Sequence, residues 1–294
     1  MITVSQAFEK FRKRLELSST ERQDAIRRHM DVRECVGDCF DVDRDFLTGS
    51  YARHTKTKPL KDVDIFFCLG EDDSHWREKP PSAVLEAFET CLANKYGATN
   101  VAPGRRCVTV TFDKRNPTVG EDGKVLSNDA VPAYDIGECY EIPDRDAGKW
   151  IKSDPDIHKQ LATAKNTEIG GSWVPLVKML KRWNRSTQSS IKPSFLIEVM
   201  ALDLTDPPFT TYPAELRRFF ASALDGVRRE WPDPAGLGSP VSDQMTQQRQ
   251  EAAVTTLRGA EMSAARAVRL EQQGSNGEAL ALWRQVMGNY FPLS

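Results

Sequence analysis

Residues 46–69, FLTGSYARHTKTKPLKDVDIFFCL, limit what this chain can fold into more than any other stretch. A short apolar approach, Phe46-Leu47, leads to the small pair Gly49-Ser50. A basic polar loop containing Pro59 follows, and Asp62-Val63-Asp64 then enters the apolar run Ile65-Phe66-Phe67-Cys68-Leu69. A run so rich in aromatic and branched residues reads as a buried strand. Side chains alternate along a strand, so Asp62 and Asp64 share a face at its mouth. Two carboxylates held side by side repel unless they are protonated, hydrogen-bonded or bound to a cation. Hard oxygen ligands of this kind suit Mg²⁺.

Gly49-Ser50 adds a place for a phosphate. Glycine lets the backbone come close to an anion, and N–H groups at a turn or helix start point at it. The Ser50 hydroxyl is a further donor. Each feature also has a plainer explanation: Ser50 as a helix N-cap, and Asp62 with Asp64 as a solvated pair at a strand end. Taken in this order, phosphate cradle and then carboxylate pair, they form the layout that metal-dependent nucleotidyl transfer needs.

The rest of the chain is consistent with a large mixed α and β protein. At 294 residues it can bury an ample core in one large or two modest domains. Net charge is −2, which argues against a general nucleic-acid binder. No segment approaches a membrane span. The N-terminus, MITVSQAFEKF, lacks the apolar centre of a signal peptide, so the expected location is the cytoplasm. Six cysteines are scattered without a C-x-x-C, and read as buried reduced thiols. Residues 4–17 look helical and basic. Thr20 and Gln23 fit a capping box that opens a helix to about Gly37. Another helix should run to about Tyr96 after Pro80-Pro81. The alternation of residues 105–112, RRCVTVTF, predicts a strand. A turn-rich insert over 113–123 leads to a second strand over 125–133 that carries Asp129, with Asp135 just beyond. Asp144, Arg145 and Asp146 read as surface turn residues. In the helix predicted over 172–184, Lys178, Lys181, Arg182 and Arg185 form a basic stripe, for which the ordinary reading is a solvated face.

The G-S, spacer, D-x-D block resembles the DNA polymerase β-type nucleotidyltransferase superfamily. The longer string GSYARHTKTKP…DVDIFF is similar to the bacterial cGAS/DncV-like nucleotidyltransferases, the CD-NTases of anti-phage signalling. The resemblance covers roughly residues 20–294. It implies an α+β fold: a polymerase β-like mixed sheet with helices over residues 1–160, and an α-helical nucleotide-binding domain over 161–294. The N-terminal helices are partly shared with the second domain, and the site lies in the cleft between the two. Asp129-Ala130-Val131-Pro132-Ala133 matches the family strand D-V-V-P-A and makes Asp129 the third metal carboxylate, with Asp135 as the alternative. L-V-K-M-L-K-R-W resembles the family helix whose lysine, here Lys181, holds the donor triphosphate. Lys192-Pro193-Ser194-Phe195-Leu196-Ile197-Glu198 resembles the S-Y-x-L-E element, in which Ser194 would contact triphosphate and Phe195 would stack on the donor base.

The implied site is therefore Asp62, Asp64 and Asp129 on two Mg²⁺ ions, for which Mn²⁺ can substitute, with Gly49, Ser50, Lys181, Ser194 and Phe195 on the nucleotide. The implied activity is synthesis of a cyclic di- or trinucleotide second messenger from ATP and other NTPs, with release of pyrophosphate. An activating partner protein is an option, and a downstream effector would answer the product. Two alternatives stay open: transfer of a nucleotide to an RNA end or a protein, and a non-catalytic nucleotide sensor of the same fold.

Overall fold

The computed structural model describes residues 2–112 and 127–294. The insert expected over 113–123 and the first residues of the following strand lie outside the described residues. In chain order the elements are α1 (Val4–Arg14), α2 (Ser19–Gly37), β1 (Val42–Thr48), α3 (Gly49–Ala52), β2 (Asp62–Leu69), α4 (Pro81–Tyr96), β3 (Val101–Pro103), β4 (Val108–Thr111), β5 (Ser127–Asp135), β6 (Tyr140–Asp144), β7 (Lys149–Ser153), α5 (Pro155–Glu168), α6 (Trp173–Ser186), α7 (Ser194–Leu204), α8 (Tyr212–Gly226), α9 (Gln247–Gln272) and α10 (Asn276–Met287). Two compact units result. A sheet unit comprises Leu17–His54 and Pro59–His158. A helical unit comprises Met1–Glu16, Thr55–Lys58 and Lys159–Ser294.

The sheet unit is built on the strand order β1-β2-β5-β4-β3, with β6 added to β5 and β7 to β6. β2 and β5 are parallel and the other pairs antiparallel, so the sheet is mixed. Alternation along β2 sends Val63, Ile65, Phe67 and Leu69 into a core with Val84, Leu85 and Phe88 of α4 and Val32 and Val36 of α2. The opposite face carries Phe66, Cys68, Val131 and Ala133 in a smaller cluster. Asp62, Asp64 and Asp129 fall on that second face by the same alternation.

Several local expectations change. The second helix is capped by Ser18, not Thr20: Ser18 Oγ accepts from Glu21 N–H, and Glu21 returns a bond to the Ser18 N–H. The strand predicted over 105–112 is shorter, because Arg105 and Arg106 leave the ladder to bind Asp144. Asp144 is consequently not a surface residue. It is 1% exposed and ion-paired to both arginines at 2.8 and 2.9 Å. The cysteines are also not all reduced. Cys39, just past α2, is disulfide-bonded to Cys91 on α4, their Cα atoms 6.3 Å apart. The packing of α2 beside α4 joins residues 52 apart in sequence, which spacing could not reveal. Cys35, Cys68, Cys107 and Cys139 are free thiols.

The helical unit buries Phe8 and Phe11 of α1 against Trp283 of α10 and Phe291, with ring centroids 5.0–5.3 Å apart. This explains why a basic N-terminal helix belongs with the C-terminal half: its aromatic face completes that core. The α6 helix is buried over its whole middle, Leu176 to Asn184. Three members of the basic stripe, Lys178, Lys181 and Arg182, are therefore interior, against the ordinary reading of a solvated face, and Arg185 is half-buried. Lys178 donates to both carboxylate oxygens of Glu16 at 2.7 and 2.8 Å, and the Arg182 guanidinium lies 3.9 Å from the Tyr290 ring centroid.

Candidate active site

The site in the sheet unit starts from strand register. Across the parallel pair β2–β5, Asp62 faces Ser127 and Asp64 faces Asp129. Neighbouring strands lie roughly 4.8 Å apart, so the Asp64 and Asp129 backbones stand side by side with side chains on one face. On the other flank of β5, Thr109 of β4 is the partner of Asp129, and its hydroxyl donates to Asp129 Oδ1 at 2.7 Å. Asp62, Asp64 and Asp129 are all half-buried. Asp135 is at the other end of β5, where it is exposed and ion-paired with Arg44 at 3.0 Å. Register thus brings Asp129, rather than Asp135, beside Asp64.

Gly49 is the closest fit in the site. It opens the single turn of α3 directly after β1, with φ +63°. A Cβ built there would sit 1.7 Å from Asp64 Oδ2. No side chain fits, so the backbone of the Gly49-Ser50 turn lies directly against the carboxylate of β2. Ser50 is half-buried within α3 and is not its cap; the cap position is Thr48, which makes no side-chain capping bond.

The electric field of the pair is felt by a neighbour. Burial first, and then the charges of Asp129 and Asp64, push the Cys107 thiol up to about 12. Cys107 thus stays a neutral thiol beside the carboxylates. As donors the three aspartates suit a hard divalent cation. As their side chains stand, no three His, Cys, Asp or Glu residues among the described residues form a group that could hold an ion. Asp64 and Asp129 are register partners, and Asp62 lies two residues along β2 on the same face.

The helical unit holds the other sequence-predicted residues. Lys181 of α6 is buried, its Nζ 2.5 Å from Glu198 Oε1 of α7 and 3.3 Å from Thr55 Oγ1. Thr55 in turn donates to Glu198 Oε2 at 2.8 Å. Ser194 is the exposed first residue of α7, after the cap Pro193, and Phe195 is half-buried against the helical core.

The sequence reading gave no role to Thr55, Glu198 or Thr109, although Glu198 closes the Lys192–Glu198 motif quoted there. Thr55 sits in a stretch read as a basic polar loop, yet Thr55, Lys56 and Thr57 are all buried. The signal for Thr109 was present, since alternation in VTVT sets it opposite the apolar face. Nothing in sequence showed that this face would meet Asp129.

Residues 1–166 match the family described as Second Messenger Oligonucleotide or Dinucleotide Synthetase domain, SMODS. The chain is 27% identical over 321 residues to a cyclic AMP-AMP-AMP synthase of Acinetobacter sp., covering all of this chain and 87% of that protein. Among solved structures, E. coli MS115-1 CdnC with ATP superposes with a TM-score of 0.72 at 18% identity, over 99% of each chain. The same relative in complex with HORMA-deltaN gives 0.71, over 98% of each chain, also at 18% identity. The mixed sheet, the carboxylate register and these matches agree: the chain belongs to the SMODS family and is a bacterial CD-NTase, a nucleotidyltransferase of the cyclic-oligonucleotide synthase class.

Proposed function

We propose that this chain makes a cyclic di- or trinucleotide from ATP, alone or with a second NTP, through Asp62, Asp64 and Asp129. The observation that carries the reading is the register of Asp64 against Asp129, with the Gly49 backbone packed on Asp64. The CdnC relative solved with ATP, and the adenine product of the Acinetobacter synthase, support ATP as a substrate. Asp62, Asp64 and Asp129 would hold two Mg²⁺ ions, for which Mn²⁺ can substitute. When bound, such ions neutralise phosphate charge and lower the pKa of the attacking hydroxyl.

The chain's own residues then position the reactants. Gly49 and Ser50, with Lys181 and Ser194 in the helical unit, take the β- and γ-phosphates. Phe195 supplies a stacking face for the donor base. The acceptor 3′-oxygen forms its bond to the donor α-phosphorus as the bond to the bridging oxygen breaks and pyrophosphate leaves. Asp129, oriented by Thr109, accepts the hydroxyl proton. Catalysis is mainly positioning and electrostatic stabilisation. Repeating the step on the linear product closes the ring, one pyrophosphate leaving for each bond: two bonds for a dinucleotide, three for a trinucleotide.

No helix among the described residues is long and apolar enough to cross a membrane. We place the enzyme in the cytoplasm, in anti-phage signalling upstream of an effector that binds the product. The complex of the CdnC relative with HORMA-deltaN supports a partner protein, to which we give the activating role. The test is incubation with all four NTPs and Mg²⁺ or Mn²⁺, followed by phosphatase treatment and mass spectrometry. A phosphatase-resistant cyclic product is expected from the wild-type chain. None is expected from Asp62→Asn combined with Asp64→Asn, at unchanged circular dichroism. Full activity of that double variant would sink the assignment, and label transferred to added RNA or protein would replace it.

A further inference from the structure

We propose that Thr55 is a positioning residue that presents Lys181 to the donor triphosphate. The inference rests on the reading above that Lys181 grips that triphosphate. Its basis is a buried three-membered arrangement within the helical unit. Thr55 Oγ1 donates to Glu198 Oε2 at 2.8 Å and accepts from Lys181 Nζ at 3.3 Å, while Lys181 Nζ bonds Glu198 Oε1 at 2.5 Å. Thr55 is fully buried, and Lys181 and Glu198 are nearly so. A buried ammonium on a flexible four-carbon stem can turn toward several acceptors. Here one carboxylate and one hydroxyl fix its direction, and the hydroxyl also ties down the second carboxylate oxygen.

The position of Thr55 in the chain gives this arrangement a function beyond packing. Among the described residues between Glu16 and Lys159, Thr55–Lys58 are the only ones that group with the helical unit. They are held there by the burial of Thr55, Lys56 and Thr57 and by the bond from Lys58 N–H to the Leu15 carbonyl at 3.0 Å. The same short stretch of chain follows Gly49-Ser50 and precedes Asp62. Thr55 is therefore linked through the backbone to both the phosphate turn and the carboxylate strand, and through its hydroxyl to Lys181. A triphosphate drawing on Lys181 must share it with Glu198. Thr55, by holding Glu198 in place, keeps the ammonium available without letting the carboxylate turn away and strand it.

The test compares binding of α,β-methylene ATP with binding of AMP by calorimetry, in the full-length chain with Mg²⁺. Thr55→Val keeps the shape and removes the hydroxyl. Losing a hydrogen bond to a charged group should weaken the triphosphate analogue by about tenfold or more. AMP, which lacks the β- and γ-phosphates, should change by less than about twofold. Thr55→Ser should restore the wild-type ratio. If the valine variant does not fold, Thr55→Ala removes the same hydroxyl and gives the same readout. An unchanged preference for the triphosphate in the hydroxyl-less variant overturns the inference and leaves the proposed function standing. Equal weakening of both ligands also overturns it, since a merely structural role would do that. A wild-type chain with no preference for the triphosphate overturns both.

Discussion

Gly49 shows how a single residue can be dictated by chemistry on a neighbouring element. Its φ of +63° is costly for residues with a Cβ, and the Cβ itself would collide with Asp64 Oδ2 at 1.7 Å. Gly49→Ala must therefore displace either the turn or the carboxylate. The expected outcome is a loss of cyclic-product synthesis of roughly 100-fold, since misplacing a reacting group by an ångström has that scale of effect. The stability cost should be only about 1 kcal/mol, because strain of this kind is local. Turnover by mass spectrometry and urea unfolding measure the two separately; a fully active variant would show that the cradle has no part in catalysis. The Gly49-Ser50 pair and the Asp62-Asp64 pair were readable from sequence because both features are local, one a backbone freedom and the other a two-residue alternation. Thr109 and Thr55 were not, because a threonine hydroxyl gains meaning only from what lies across from it.

Elements in this protein are joined by buried charges that look like surface residues in sequence. Asp144 at the end of β6 is the clearest case. Burial raises its pKa, but the Arg105 guanidinium, the Ala147 N–H and Arg106 outweigh that and hold the carboxyl at about 2, against an ordinary 3.8. A folded-state pKa below the unfolded one gives stability that is fully present above about pH 4. It is lost as pH falls through about 2, and amounts to about 2 kcal/mol. Urea unfolding of wild type should therefore weaken across that window, and Asp144→Asn should be less stable at pH 7 and insensitive to Asp144 titration. An equal pH slope in both proteins would refute the assignment. The α6 stripe makes the same point. Periodicity correctly set Lys178, Lys181 and Arg182 on one helix, but helical spacing says nothing about whether that face meets water or Glu16, Glu198 and Tyr290.

At the scale of the whole molecule, two devices hold segments distant in sequence. The Cys39–Cys91 disulfide closes a loop of 52 residues behind the sheet. By loop-closure entropy it should stabilise the sheet unit by about 3–4 kcal/mol. Dithiothreitol should lower the urea midpoint accordingly, and Cys39→Ser should remove that response; a midpoint indifferent to reductant would argue against the bond in solution. In the helical unit, Phe8 is fully buried among Phe11, Trp283 and Phe291. Phe8→Ala should cost about 3–5 kcal/mol, read by thermal or urea unfolding. By itself the sequence determined most helices, the β2 strand and the shared face of Asp62 and Asp64, which follow from periodicity and alternation, and the resemblance carried by its short motifs implied the α+β class and picked out Asp129. Tertiary structure alone decided that Asp129 stands beside Asp64, that Asp144, Lys178, Lys181 and Arg182 are interior, that Cys39 meets Cys91, and that Thr55–Lys58 belong with the helical unit. Each of these depends on which residue lies across a strand or helix interface, and that is settled by long-range packing rather than by the spacing of neighbours along the chain.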